Sequence, residues 1–173
     1  MGTTFSDVPR VLLATDADWI HEEVDAALAG DDIEVLRVRQ GVDVLPTVHE
    51  LAPDLVVLDL QIGNMGGMAA CMDLRLDESV GRLDHVPVLM LLDRDVDAFL
   101  AHRAEADGWV VKPLDAFRLR RAATAILGGD AYREGMADDE GEAEAVDVPE
   151  GDASGPADEV TVPPEPEPET APA

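Results

Sequence analysis

The chain has 173 residues, with 12 Lys+Arg against 38 Asp+Glu, for a formal charge of −26. That length suits one ordinary domain with an appendage. So large an acid excess argues against nucleic acid or an anionic membrane surface as a partner, because both are held by clustered cations. The one cysteine, Cys71, excludes an internal disulfide. No apolar run nears the roughly 20 residues of a membrane span, and Met1 to Arg10 lacks the cationic start and apolar stretch of a secretion signal. The expectation is a cytoplasmic protein with no direct membrane insertion.

In chain order, RVLLAT (10–15) reads as a buried strand. A helix follows with an apolar face of Ile20, Val24, Ala27 and Leu28, capped by Asp16 or Asp18 and ended by Gly30. IEVLRV (33–38) alternates as a second strand, and residues 42–51 are helical in pattern, with Pro46 in or before the first turn. DLVVLDL (54–60) is the near-continuous apolar run of a strand covered on both faces. A glycine-rich loop over 63–67 leads to a helix over about residues 68–76, then VPVLMLL (86–92) reads as a fourth buried strand. A helix over about residues 96–106, with Phe99 inward, precedes the short strand WVV (109–111) and Lys112-Pro113. The last helix, 116–127, is expected to bury Phe117, Leu119, Ala123 and Ile126. Five strand–helix units predict an α/β fold, a doubly wound five-stranded parallel sheet in the order 2-1-3-4-5, of the flavodoxin-like kind. There are no internal repeats, and an eight-stranded barrel needs roughly 200 residues or more.

The charge splits the chain at Gly128-Gly129, a natural helix stop. Residues 1–129 carry 11 basic and 23 acidic side chains; residues 130–173 carry one arginine, 15 acids and seven of the 12 prolines. The second stretch is too poor in branched apolar residues to offset chain entropy, so it is expected to be a disordered acidic tail. It either solubilises the chain or folds on a basic partner.

Functional groups of an open parallel sheet gather beyond the carboxyl ends of its strands. Those ends deliver Thr15 and Asp16, Asp59, Leu92 and Asp93, and Lys112. Carboxylates and an ammonium converging there suit a hard cation and a phosphoryl group; a structural ion pair is the alternative. Lys112 is the only lysine beside 11 arginines, and an arginine fork would serve a surface pair at least as well.

Residues 54–67, DLVVLDLQIGNMGG, and 109–114, WVVKPL, resemble the receiver domain of two-component response regulators, the chemotaxis-regulator type, over about residues 9–128. The resemblance implies that Asp59 is the phosphoacceptor and Lys112 the phosphoryl contact. It places Met65 and Gly67 at their usual loop positions, makes Leu92 and Trp109 the switch positions, and makes the Lys112-Pro113 bond cis. It implies a Mg²⁺ site of Asp16, Asp59 and Gln61. The departures are as informative. The family opens its site with two adjacent acids, and here stands Thr15-Asp16, with Asp18 a candidate to compensate. The hydroxyl expected at the end of the fourth strand is Leu92, which cannot donate a hydrogen bond. The next residue, usually small, is Asp93, whose carboxylate repels a phosphoryl group or takes its place beside Lys112. Gly63 replaces a common proline.

Fewer charged ligands make Mg²⁺ weak, and no other cofactor is expected. Without the hydroxyl, phosphorylation lacks the contact that tells modified from unmodified states. The expectation is therefore a degenerate, stand-alone receiver, not an enzyme, that docks on a protein. Its partner is a histidine kinase, regulatory machinery or a larger complex such as a respiratory assembly, and no output module fits residues 130–173. The alternative is a working phosphoacceptor in a phosphorelay, modified at Asp59. A hydrolase using Asp16 and Asp59 lacks substrate-binding residues. The helix dipole alone explains Asp93, Asp95 and Asp97 at the start of the fourth helix. The alternative, implied by the resemblance, is a homodimer or partner contact through the fourth helix, fifth strand and fifth helix, with Arg118, Arg120 and Arg121 opposite those acids and Trp109 as aromatic anchor. His21, His49, His85 and His102 show no ligand spacing. Met65, Met68 and Met72 read as core filling, with an adaptable contact surface as the alternative, and Cys71 as buried and inert. The 63–67 loop lacks the spacing of a nucleotide site.

Overall fold

The computed structural model describes residues 8–29 and 33–134. The strands are β1 (Arg10–Ala14), β2 (Glu34–Val38), β3 (Leu55–Asp59), β4 (Val88–Leu92), β5 (Gly108–Val111) and β6 (Tyr132–Arg133). The helices are α1 (Asp18–Leu28), α2 (Val44–Leu51), α3 (Gly67–Ser79), α4 (Ala98–Arg103) and α5 (Ala116–Leu127). All strand pairs are parallel, in the order β2-β1-β3-β4-β5-β6. The doubly wound α/β expectation and its order 2-1-3-4-5 hold, and a short sixth strand extends them. Within the stretch expected as an acidic tail from residue 130, Tyr132–Arg133 instead pair with the sheet; residues 135–173 lie outside the described part, as does Gly30.

The pleat explains the layering, because successive strand residues point to opposite faces. Leu12, Ala14, Val56, Leu58, Val88, Met90, Leu92 and Trp109 join the face covered by α2, α3 and α4. Val11, Leu13, Leu55, Val57, Leu89, Leu91 and Val110 face α1 and α5. Every residue of β3 and β4 is buried, so polar atoms on these strands are confined to their ends. Burying each large aliphatic contributes ~1.5–3 kcal/mol, which makes the central strands a rigid mount for whatever follows them.

Two inward aromatics were expected and neither is inward. Phe117 is 75% exposed because α5 buries Leu119, Ala122, Ala123 and Ile126. At about 100° per residue, position 117 lies on the far side of the helix from 119. Phe99 is 62% exposed, with the Arg103 guanidinium 5.8 Å from its ring centre. The helix bearing it has only six residues and turns Ala98 and Ala101 inward, while Trp109, fully buried in the same cluster, fills the space. Pro46 does sit in the first turn of α2. Neither expected acid caps α1: Ala17 is the capping residue, without a side-chain bond.

Candidate functional site

β3 carries Asp59 to its carboxyl end with 2% exposure, and a carboxylate so covered requires bonded partners. Its Oδ1 accepts from Lys112 Nζ at 2.7 Å and from the Gln61 N–H at 3.2 Å. Its Oδ2 accepts from the Thr15 hydroxyl at 2.8 Å. Thr15 is placed by β1, whose ladder continues through the Thr15 N–H to Val38 O, and the same hydroxyl oxygen accepts from the Ala17 N–H at 3.2 Å. Lys112 is placed by β5, because its N–H still pairs with Leu92 O at 2.8 Å. The expected cis bond at Lys112-Pro113 is present.

The Lys112 ammonium is shared. It lies 3.0 Å from Asp93 Oδ1 as well as 2.7 Å from Asp59, and 5.9 Å from the centre of the half-exposed Trp19 ring. A buried ammonium between two carboxylates is well compensated, since each charge has an opposite neighbour and hydrogen bonds complete its shell. Asp93 therefore occupies the space beside Lys112, one of the two roles its carboxylate was expected to take.

Asp16 does not bond Lys112; its Oδ2 accepts from the Gly63 N–H at 3.2 Å and fastens the loop after β3. That loop turns tightly through Asn64 (φ 52°) and Met65 (φ 86°), and Asn64 donates to Gln40 Oε1 at 2.6 Å. Gly67 opens α3 beneath the acceptor, where a Cβ would overlap the Asp59 carbonyl oxygen. Asp18 does not stand in for the missing acid. Arg37 and Arg39 each hold its Oδ1 at 2.8 Å, and these bonds keep its carboxyl below the usual aspartate range.

The donor set fits a divalent ion poorly. Of its two carboxylates, Asp59 has both oxygens bonded and Asp16 is tied to the loop. The residue where the family has a further acid is Thr15, which donates to Asp59 and adds no charge. Among the described residues no group of three His, Cys, Asp or Glu side chains could hold a metal. Asp16, Asp59 and Gln61 are thus a poor match for the expected Mg²⁺.

The two residues expected at switch positions are interior. Leu92 is fully buried in the core beside Met90 and Trp109. Trp109 is also fully buried, and its indole N–H donates to Glu134 O at 2.8 Å, so it offers no anchor to a homodimer partner. The chain's own β6 covers the β5 edge that the expected dimer face includes.

The remaining candidates have structural explanations. His49 pairs with Asp77 at 2.8 Å, and His85 bridges Glu78 and Asp107 at 3.0 and 3.2 Å. The Cys71 thiol is buried, donates to Ala104 O at 3.2 Å, and is pushed up to about 12 by that burial. Met72 is 51% exposed and is not core, whereas Met65 and Met68 pack against it. Sequence reasoning missed three residues here. Thr15 was read as a lost acid, yet its hydroxyl bonds the acceptor. Trp19, five residues beyond the end of β1, gave no signal of its approach to Lys112. Glu134 stood in a stretch taken for tail.

A family model for the response regulator receiver domain matches residues 11–124. The chain therefore belongs to the response regulator receiver family, whose members are signalling proteins. It is 30% identical over 122 residues to the transcriptional regulatory protein AfsQ1 of Streptomyces coelicolor, covering 69% of this chain and 52% of that protein. It is 33% identical over 106 residues to the DNA-binding response regulator MtrA of Mycobacterium tuberculosis, covering 60% and 44% respectively. The chain thus matches about half the length of these relatives. Among solved structures, a putative response regulator from Chloroflexus aurantiacus superposes with a TM-score of 0.62 at 23% identity, covering 70% of this chain and 98% of that one. The chemotaxis regulator CheY4 of Vibrio cholerae gives 0.61 at 22%, covering 68% and 97%. These structural likenesses speak to the fold alone. Among the described residues no helix is long and apolar enough to cross a membrane.

Proposed function

We propose that this receiver works by docking on a protein partner, with its acceptor carboxylate held shut instead of cycling through phosphorylation. One observation carries the reading. Asp59 is buried with Oδ2 bonded to Thr15 and Oδ1 to Lys112, and Lys112 is itself engaged by Asp93. To accept a phosphoryl group, a carboxylate oxygen must attack phosphorus while cations neutralise the arriving charge. Here one oxygen is bonded to a hydroxyl, the single ammonium is divided between two acids, and Asp93 adds repulsion. Leu92 then supplies no donor to report a modified Asp59 to the far face, and without differential contacts no equilibrium shifts.

The proposed partner is a protein, either a histidine kinase or a larger assembly of which this chain is an accessory subunit. The exclusion of nucleic acid rests on charge alone, and relatives in this family are named for DNA binding. The test is incubation with phosphoramidate and Mg²⁺, followed by intact-mass spectrometry. Wild type is expected to stay unmodified, while Thr15→Asp combined with Asp93→Ala gains a phosphoryl group that Asp59→Asn abolishes. Stoichiometric modification of the wild type at Asp59 would instead establish a working phosphoacceptor.

A further inference from the structure

After α5 the chain turns at Gly128-Gly129, where Gly129 has φ +90°, and lays Tyr132–Arg133 along β5 in parallel register, Gly108 opposite Tyr132 and Trp109 opposite Arg133. Gly108 admits this strand, since a Cβ there would overlap the Tyr132 carbonyl oxygen. A two-residue strand has little stability of its own. Tyr132 packs, partly buried, against the core on the α1 and α5 side, and the residue after the strand adds the polar contacts. The Glu134 carbonyl accepts from the Trp109 indole N–H at 2.8 Å, and its Oε2 accepts from the Val111 N–H at 2.7 Å. Its Oε1 lies 3.2 Å from Arg118 Nε, whose guanidinium also donates to Val111 O at 2.6 Å. An edge strand ordinarily leaves such amides unpaired and open to another chain. Here an edge amide, an indole N–H and a guanidinium converge on one glutamate. That is a receptor geometry for an extended segment, with main-chain pairing giving affinity and the carboxylate giving selectivity.

We propose that the β5 edge is a strand-addition slot for an extended protein segment carrying a glutamate, and that Tyr132–Glu134 is its resident occupant, closing the slot to segments supplied by a partner. The occupant is tethered by a short turn, so its effective concentration is on the order of millimolar and a partner's segment enters only as it detaches. This inference is independent of the chemistry at Asp59.

The test uses the full-length chain and a fluorescein-labelled peptide of residues 129–137, followed by fluorescence polarisation. Glu134→Ala in the protein weakens the resident and should raise peptide affinity at least about tenfold over wild type. A peptide with alanine at the glutamate should bind no better to that variant than to wild type. Gly108→Ala added to Glu134→Ala should abolish binding. Equal binding by wild type and Glu134→Ala, or by both peptides, would overturn the proposal. Amide hydrogen exchange reads the same contact without a ligand. The Val111 N–H should exchange at least about tenfold faster in Glu134→Ala, and Glu134→Gln, whose amide oxygen still accepts, should restore part of the protection. Unchanged exchange in Glu134→Ala would also overturn it.

Discussion

Lys112 and Asp59 form an ion pair whose two halves are not equivalent. Lys112 is the only ammonium available to two carboxylates, so its loss leaves Asp59 buried and charged with one hydroxyl and one amide as donors. Asp59→Asn instead leaves Lys112 paired to Asp93. Breaking a buried pair so that a charge is stranded costs about 3–5 kcal/mol, whereas losing a hydrogen bond whose partners stay satisfied costs about 1 kcal/mol. Urea unfolding should show Lys112→Met destabilised by about 3–5 kcal/mol and Asp59→Asn by about 1 kcal/mol. Equal losses would mean that Asp93 does not hold the ammonium. The sequence made this pair legible because a lone lysine stood at a strand end among 11 arginines. It could not show which carboxylate the lysine prefers, since that depends on side-chain directions in three strands. Nor could it show that Thr15 would donate to the acceptor, because a hydroxyl in a sequence carries no sign of its partner.

The elements were legible where burial is complete and illegible where a helix is short. Leu55–Asp59 and Val88–Leu92 are covered on both faces, so a continuous apolar run identifies them without ambiguity. α4 has one and a half turns, too few for a period to show which side of Phe99 faces in, and the large side chain was wrongly assigned to the core. In α5 the stripe Leu119, Ala122, Ala123, Ile126 is in phase and Phe117 is not, an error that counting by 3.6 would have avoided. β6 was hidden by composition, because its two residues border an acid-rich stretch and only Tyr132 offers an apolar signal, while Glu134 adds polar contacts. The burial difference has a measurable consequence. Thermal unfolding should place Phe99→Ala and Phe117→Ala within about 0.5 kcal/mol of wild type, and Trp109→Ala about 3–5 kcal/mol below it. Comparable losses at all three positions would contradict the orientation of α4 and α5.

At the scale of the whole molecule, a receiver is useful as a switch only when the chemistry at one end of the sheet alters the surface at the other. In this chain the relay positions are filled by packing. Leu92 and Trp109 belong to one buried cluster, and Trp109 is bonded to Glu134, the residue after the chain's own sixth strand. On the proposed reading, this packing keeps one arrangement and presents a constant docking surface. Two acids are held beyond the strand ends: Asp59 by Thr15 and Lys112, and Glu134 by Val111 and Arg118 at the β5 edge. Beryllofluoride, a mimic of the phosphoryl group, tests the proposed closed acceptor most directly when amide ¹H–¹⁵N spectra of the full-length chain are recorded with and without it in millimolar Mg²⁺. The closed site predicts superimposable spectra, with the Asp59, Lys112 and Trp109 signals unmoved. A second set of resonances spreading from Asp59 to α4, β5 and α5 would contradict it and show a working switch.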